Sequence, residues 1–244
     1  MKLDVLYRDD HLVAVFKPSA LLVHRTAMSR DRRFALQLVR NQLGCHVYPV
    51  HRLDRATSGL LIFALSSEIA GLISEQIREH QVEKGYWAFV RGFVREPGLI
   101  DRPLKNEELD QMQEAETRYA PLRHLTLPVP VHNFPEARYT LLEIWPKTGR
   151  RHQIRRHLAR AGHPLIGDTM HGDGRNNRVF REHCESQRLL LESRLLSFTH
   201  PVTGEALVLK APVGRDFQAL FSRFGWDDLC DREMNGYEGP PAEM

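Results

Sequence analysis

Hydrophobic and polar residues follow one another in short segments along the chain. Most of the secondary-structure elements that this pattern predicts are strands. Residues 3–7 and 12–16 are two short apolar stretches separated by Asp9 and Asp10, which indicates a β-hairpin. Residues 60–65 are continuously apolar, so we expect a buried strand there. Apolar or alternating patterns predict further strands at residues 86–92, 119–127, 138–145, 189–198 and 206–210, the last two as a hairpin.

Four segments have the apolar spacing of amphipathic helices. Ser66 and Ser67 offer an N-cap for a helix that extends to about residue 80. Gly149 precedes a basic helix over residues 150–160, which Gly162 ends. The other two helices are predicted at residues 32–43, where Asp31 offers the N-cap, and at residues 217–224.

Strands therefore outnumber helices, and no regular strand–helix–strand alternation is present. This pattern predicts an α+β fold with a mixed, mostly antiparallel central sheet flanked by helices and loops. No linker interrupts the sequence, so we expect a single domain over residues 1–226. The acidic segment 227–244, which contains proline and glycine, is expected to be a flexible tail.

The composition narrows the class of protein. The chain has 244 residues, 42% of them hydrophobic and 27% charged, as in globular proteins. No apolar run approaches the roughly 18 residues of a membrane span, and the N-terminus lacks the apolar core of a signal peptide. Cys45, Cys184 and Cys230 are too scattered for a disulfide framework or a zinc site. We therefore expect a cytoplasmic protein without bound metal.

The net charge of +3 is unevenly distributed along the chain. Without segment 227–244, the remaining residues include 33 Lys+Arg and 25 Asp+Glu, a net charge of +8. Residues 145–161 contain six basic residues and no acidic one. Such a patch indicates a polyanionic partner, although a solvated helix face has the same pattern.

The most unusual polar cluster is residues 51–59, directly before the apolar run 60–65. Asp54 is its only carboxylate and lies between Arg52 and Arg55, which favour the ionised form. Such a group can act as a nucleophile, as a base or as the partner of a cationic transition state. Thr57 and its neighbours suit a loop held in one shape. The alternative is that Asp54 only caps a turn through its side chain.

A second cluster, residues 147–157, combines bases with the start of a helix. Backbone N–H groups at a helix start bind anions. Arg155 lies beside the apolar side of this helix, near Ile154, so it can point inward and pair with a buried acid. On spacing alone, a solvated basic helix is the favoured interpretation.

Residues 84–92 form a third cluster, in which alternation places Tyr86 on one face of a strand with Ala88 and Val90. A tyrosine there is usually part of the core, but it can also stack on a nucleobase. The chain contains no phosphate-binding loop, zinc helix, dinucleotide fingerprint or serine elbow.

These clusters together resemble a known family. Residues 51–59 are similar to the signature loop of the pseudouridine synthases related to ribosomal large-subunit synthase A. Other blocks match that family in order: Lys17-Pro18, residues 84–92, 148–155 and 162–164 with Gly167-Asp168, and residues 200–205. The match extends from the N-terminal hairpin to about Trp226. It implies the pseudouridine synthase fold and an isomerase that flips a uridine out of RNA and converts it to pseudouridine.

The resemblance also implies roles for single residues. Asp54 is expected to be the catalytic aspartate, oriented by an ion pair with Arg155. Tyr86 is expected to stack on the uracil and to assist proton transfer. Arg52 is expected to fill the gap left by the flipped base, and Ile154 to pack against that base. The full set expected to bind RNA is Arg52, Arg55, Thr57, Lys147, Arg150, Arg151, Ile154 and Arg156.

Family members that modify tRNA show the greatest similarity to this chain. The similarity lies in the compact match, with no extra RNA-binding module expected ahead of it, in the block 147–149 and in the ending 224–226. The implied target is uridine 65 in the T stem. The family implies no cofactor, and we expect a monomer with an RNA partner and no membrane or DNA. Two departures from the family pattern are present: Glu192 with Ser193 replaces a common His-Ala, and His171 replaces a tyrosine.

Three other functions fit parts of the sequence. The same isomerisation could act on ribosomal RNA or on several RNAs. A catalytically idle RNA-binding protein would use the same basic surface but has no need of an acid among bases. A DNA-binding helix over residues 150–160 fits poorly, because the sequence offers no partner helix at a tight turn.

Overall fold

The structure is a computed structural model that describes residues 1–25 and 33–236. Its strands are β1 (Val5–Arg8), β2 (Leu12–Lys17), β3 (Tyr48–Pro49), β4 (Ser58–Ala64), β5 (Glu83–Arg91), β6 (Gly98–Asp101), β7 (Leu104–Asn106), β8 (Gln111–Gln113), β9 (Glu116–Leu127), β10 (Ala137–Pro146), β11 (Leu191–Thr199) and β12 (Ala206–Lys210). Its helices are α1 (Ala35–Leu43), α2 (Ser67–Arg78), α3 (Gln153–Arg160), α4 (Gly174–Cys184) and α5 (Arg215–Phe224), followed by a 3-10 turn at Asp227–Leu229.

The chain forms two compact units. Of the described residues, unit 1 contains 1–25, 33–83 and 192–212, and unit 2 contains 84–191 and 213–236. In unit 1 the strands pair in the order β1-β2-β4-β11, with β3 also on β4 and β12 on β11. β4 and β11 run parallel, whereas the other pairs of unit 1 are antiparallel.

The core of unit 1 lies between its strands and helix α2. Every residue of β4 is buried, as expected for a continuous apolar run. Leu60 and Ile62 of β4 pack in one cluster with Ile69 and Ile73 of α2. The Ser66 Oγ accepts a hydrogen bond from Ile69 N at 3.2 Å, which confirms the predicted N-cap of this helix.

Unit 2 is built on the antiparallel order β5-β10-β9-β6, with β7 and β8 as a separate hairpin. Aromatic residues of strands and helices fill its core. The Phe89 ring of β5 lies 5.8 Å from the rings of Phe180 and Phe217, and it stacks on Trp226 at 6.0 Å. This packing explains the apolar stripe that predicted α5.

Most predicted elements are present, and the departures have local causes. α3 begins at Gln153 instead of residue 150, because His152 has a left-handed backbone with φ of 53°. α4 escaped prediction because it has few apolar residues, and its N-cap is Asp173, which accepts from Arg175 N and Asn176 N. The predicted cap Asp31 lies outside the described residues.

Part of the segment that the sequence predicted as a flexible tail from residue 227 has buried side chains. Leu229 and Met234 are each 1% exposed. The Arg123 guanidinium also lies 2.7 Å from the Asp228 carboxylate. Residues 227–236 therefore pack onto unit 2, and residues 237–244 lie outside the described part.

Within the described ranges, none of the helices is both long and apolar enough to cross a membrane.

Candidate functional site

The loop 51–57 of unit 1 presents Asp54 in a tight turn. The Thr57 N–H donates to the Asp54 backbone oxygen at 3.1 Å. Asp54 is half-buried, whereas Arg52 and Arg55 on either side are exposed. Leu53 is buried and anchors the loop in the core. The turn therefore rests on backbone bonding and leaves its carboxylate at the boundary between protein and solvent.

Hydrogen bonds from the end of β2 and from the residues after it fix this loop. Lys17 is 0% exposed, and its ammonium donates to the carbonyl oxygens of Leu21 at 2.8 Å, Pro18 at 3.0 Å and Arg55 at 3.3 Å. Ser19 Oγ donates to the Ala56 carbonyl at 2.7 Å. A buried ammonium needs such acceptors, since burying an unpaired charge is strongly unfavourable. These bonds hold the backbone that follows Asp54 in one conformation.

The loop continues into β4 at a point of very close backbone approach. Gly59 has φ of 105°, and a Cβ at this position would collide with the carbonyl oxygen of Ser193 in β11. No side chain fits there, and the left-handed region itself favours glycine. Close packing of β4 against β11 therefore requires glycine at this position.

In unit 2, β5 places Tyr86 opposite Ile144 of β10, and both are buried. Two residues earlier on the strand, the Lys84 ammonium donates to the carbonyl oxygens of Thr148 at 3.1 Å and Lys147 at 3.4 Å. Burial, together with the positive charge of Arg150, lowers the pKa of Lys84 to about 8. Lys84 thereby ties the strand of Tyr86 to the basic turn before α3.

That turn is braced by Gln153, a residue that the sequence did not single out. Thr148 Oγ1 donates to Gln153 Oε1 at 2.6 Å, and the Arg150 N–H donates to the same oxygen at 3.0 Å. The Gln153 amide donates to the Glu116 carbonyl at 2.9 Å and to Thr117 Oγ1 at 3.0 Å. The bracing fixes the backbone that carries the exposed bases.

Arg155 points inward from α3 and meets a buried acid. Its Nε and Nη2 atoms each donate to an oxygen of Asp168 at 2.8 Å. Burial would raise the pKa of Asp168, but the bonds from Arg155 and from the N–H groups of His171 and Met170 hold it below its usual value. The inward orientation, which the sequence left open as the alternative for Arg155, is the one that the structure shows. Its ion pair with Asp54 stays a prediction.

The favoured interpretation of residues 150–160 as a solvated basic helix is wrong for the inner face of α3. Arg155 and His157 are buried, whereas Arg151 and Arg160 are exposed. His157 is held by Thr117 Oγ1 and by the Arg102 carbonyl, both at 2.9 Å. Only the outer face carries solvated cations.

The residues predicted to bind RNA are divided between the two units. Unit 1 holds Arg52, Arg55 and a buried Thr57, all on the loop of Asp54. Unit 2 holds the others, with Lys147 exposed, Arg150 half-buried and Ile154 buried. The remaining two are Arg151, whose guanidinium lies 3.7 Å from Glu107, and Arg156, which donates to the Lys105 carbonyl at 3.0 Å.

Sequence reasoning missed Lys17, Gln153 and Asp168 as supports of these residues. All three fall within blocks that matched the family, so the resemblance marked them without giving a role. His171, which departs from the family pattern, lies beside the basic turn, where its Nε2 is 3.1 Å from His152 Nδ1. Across the described residues, no group of three or more histidine, cysteine or acidic side chains is arranged to hold a metal ion.

Comparison with known proteins gives consistent results. Residues 11–160 match the RNA pseudouridylate synthase family. The chain is 47% identical over 240 residues to the tRNA pseudouridine synthase C of Vibrio parahaemolyticus, covering 93% of this chain and 97% of that protein. It is 45% identical over 236 residues to the protein of the same name from Haemophilus ducreyi, with the same coverage.

Solved structures agree on the fold. The human RNA pseudouridylate synthase domain containing 4 has a TM-score of 0.70 at 23% identity and covers 91% of this chain and 93% of its own. The human domain containing 1 has a TM-score of 0.68 at 24% identity, with coverages of 87% and 84%. These likenesses confirm the predicted α+β pseudouridine synthase fold. The chain belongs to the RNA pseudouridylate synthase family and is an isomerase that makes pseudouridine in RNA.

Proposed function

We propose that this enzyme modifies tRNA, at uridine 65 of the T stem, with Asp54 as the catalytic group. The tRNA assignment is supported by relatives named tRNA pseudouridine synthase C, which match the chain over nearly its whole length. The observation that carries the catalytic assignment is the half-buried Asp54 carboxylate on a loop fixed by a buried lysine.

The reaction suits a single ionised carboxylate. The bond from uracil N1 to ribose C1′ breaks, the base rotates, and a bond forms from C5 to C1′. The proton on C5 is lost and N1 gains one, so the product is an isomer of the substrate. C1′ becomes electron-poor as its bond breaks, and a nearby carboxylate stabilises it or attacks it. Removal of the 2′ proton by Asp54 is the other route open to this group.

The target base must leave the RNA helix, which costs a few kcal/mol of stacking. In our proposal, the exposed Arg52 enters the stack and fills the gap. Tyr86 stacks on the detached uracil and assists the loss of the C5 proton, while Ile154 packs against the base. Arg155, held by Asp168, orients Asp54 through an ion pair. These groups keep water from the reacting base.

RNA backbone binding is assigned to the exposed and half-buried bases of both units, chiefly Arg55, Lys147, Arg150, Arg151 and Arg156. Contacts of this type make affinity fall steeply with salt. The proposed setting is the cytoplasm, where the enzyme acts on tRNA as a monomer and without a cofactor.

The catalytic assignment is tested with Asp54→Asn. This variant should abolish release of tritium from uridine labelled at C5, while tRNA binding measured by filter retention is preserved. Asp4→Asn, which changes an exposed acid elsewhere in unit 1, is the matched control and should keep the wild-type rate. Turnover of Asp54→Asn near the wild-type rate would refute the role of Asp54.

The substrate is tested by mapping pseudouridine in RNA from cells with and without this gene. Loss at tRNA position 65 alone supports the proposal. Loss in ribosomal RNA would overturn it in favour of a ribosomal substrate, and the catalytic assignment would stand.

A further inference from the structure

β11 carries a carboxylate in the interior of unit 1. Glu192 is 0% exposed, and Arg194 on the same strand is 3% exposed. Acidic side chains are almost never fully buried unless other groups bind their oxygens. The catalytic proposal gives Glu192 no role, so its burial needs another explanation.

One oxygen of the Glu192 carboxylate accepts a hydrogen bond, and the other faces a guanidinium. Ser58 Oγ donates to Oε2 at 3.0 Å. The Arg194 guanidinium lies 3.8 Å from Oε1, a long ion pair. The parallel register of β4 and β11 sets Glu192 directly opposite Ser58, so the contact follows from the pairing of these two strands.

Ser58 is the first residue of β4, and the loop of Asp54 ends one residue before it. Thr57, the last residue of that loop, donates its N–H to the Asp54 backbone oxygen. Gly59 on the other side is pressed against Ser193 of β11. Ser58 therefore lies between the turn that positions Asp54 and the closely packed backbones of β4 and β11.

The loop has a different anchor on its other side. Lys17 and Ser19 hold the carbonyl oxygens of Arg55 and Ala56, which lie earlier in the loop. The Ser58–Glu192 bond is a side-chain anchor at the loop's exit, where a backbone displacement would pass through Thr57 to Asp54.

We propose that Glu192 is a positioning residue for the reaction. Its buried carboxylate holds Ser58 and, through Thr57, sets the position of Asp54 relative to the ribose. This inference rests on the proposed role of Asp54. It predicts that loss of the Ser58–Glu192 bond lowers the rate of the chemical step more than it weakens RNA binding.

The kinetic test compares three single variants and one double variant on tRNA. Glu192→Leu and Ser58→Ala should each lower kcat by about 10-fold or more at an unchanged KM, the size expected for a lost buried hydrogen bond to a charged group. The double variant should be no slower than the slower single variant, because both changes remove the same bond. Glu192→Gln keeps an acceptor oxygen for Ser58 and should retain most of kcat.

Ser193→Ala is the matched control. Ser193 is the next residue on β11 and is fully buried, but its hydroxyl has no hydrogen-bond partner among the described residues. This variant should keep the wild-type kcat. Rates are expressed per folded molecule, with the folded fraction taken from circular dichroism, so that a loss of stability does not count as a loss of rate.

A second measurement tests the positioning without any turnover. Hydrogen exchange of the Thr57 amide, which is bonded to Asp54, should accelerate about 10-fold in Glu192→Leu and stay unchanged in Ser193→Ala. The inference is overturned if folded Glu192→Leu keeps the wild-type kcat, if Ser58→Ala does, or if Thr57 exchange is unchanged. Absence of turnover in the wild type would instead refute the proposed function, and the exchange experiment would still decide the positioning.

Discussion

At the scale of single residues, the candidate chemistry depends on charged groups that are buried and fully bound. Asp168 is 2% exposed and takes two hydrogen bonds from Arg155. The ammonium of Lys17 is bound by three backbone carbonyl oxygens. Such groups lose little freedom when substrate arrives, so the protein bears the free-energy cost of their orientation during folding.

Asp168→Asn should damage both stability and turnover. It leaves the Arg155 guanidinium buried without a full negative partner, which costs about 3 kcal/mol of unfolding free energy. Misplacement of Arg155 should lower kcat by about 100-fold. Asp173→Asn is the control, because Asp173 lies in the same loop but binds Arg91 and His132. Equal kcat values for the two folded variants would contradict the role given to Asp168.

His157 predicts a pH dependence of stability. Burial lowers its pKa below the usual 6.5, despite the hydrogen bond to the Arg102 carbonyl that favours the charged form. The unfolded chain therefore binds a proton near pH 6.5 that the folded chain does not, and this contribution to stability is lost as the pH falls below 6.5. Urea unfolding at about pH 7.5 and about pH 5 should show a smaller loss in His157→Gln than in the wild type. Identical losses would show that His157 titrates alike in both states.

At the scale of elements, the exit of the Asp54 loop is defined by strand pairing. β4 and β11 are parallel here, and Gly59 lets their backbones meet without a side chain between them. The basic turn before α3 is instead held by side chains, with Gln153 and Lys84 bound to its backbone. Backbone pairing of strands thus positions Asp54, whereas side-chain hydrogen bonds to the backbone position the cations.

Gly59→Ala should destabilise the protein by at least about 3 kcal/mol, since the new Cβ meets a backbone oxygen and the residue has positive φ. Gly71→Ala is the matched control. Gly71 lies in α2, and apart from the helix's own backbone and the neighbouring residues no described atom lies within 4 Å of an alanine Cβ there, so alanine should stabilise by about 1 kcal/mol. Thermal melting measures both, and a shift of the same sign in the two variants would contradict this account.

At the scale of the whole molecule, the net charge of +3 hides a basic body and an acidic C-terminal segment. Part of that segment belongs to the fold, because Leu229 and Met234 are buried in unit 2. Its acids also bind bases of the same unit, as the pair of Asp228 with Arg123 shows. The segment therefore has a structural role that its composition did not indicate.

Two truncations separate this structural role from the charge of the segment. Removal of residues 237–244 should leave the melting temperature and turnover unchanged and should tighten non-specific RNA binding slightly at low salt. Removal of residues 227–244 should lower the free energy of unfolding by about 3 kcal/mol, because the apolar contacts of Leu229 and Met234 are lost. Equal melting temperatures for the two truncated proteins would refute the packing role.

Local sequence determined most elements of this protein, and the resemblance to a family singled out its candidate catalytic group. The apolar run of β4, the cap of α2 and the hairpin of β1 and β2 depend on neighbouring residues, so their patterns are visible in the chain. Asp54 is visible as a lone acid among arginines, but that pattern also fits a turn cap, and only the resemblance implies the catalytic role.

Tertiary structure decided what supports these groups. Asp168 meets Arg155, Glu192 meets Ser58, and the buried end of the C-terminal segment meets unit 2 only after distant parts of the chain have packed. The physical reason is that burial and hydrogen bonding between residues far apart in sequence outweigh local propensity, and no local pattern encodes them.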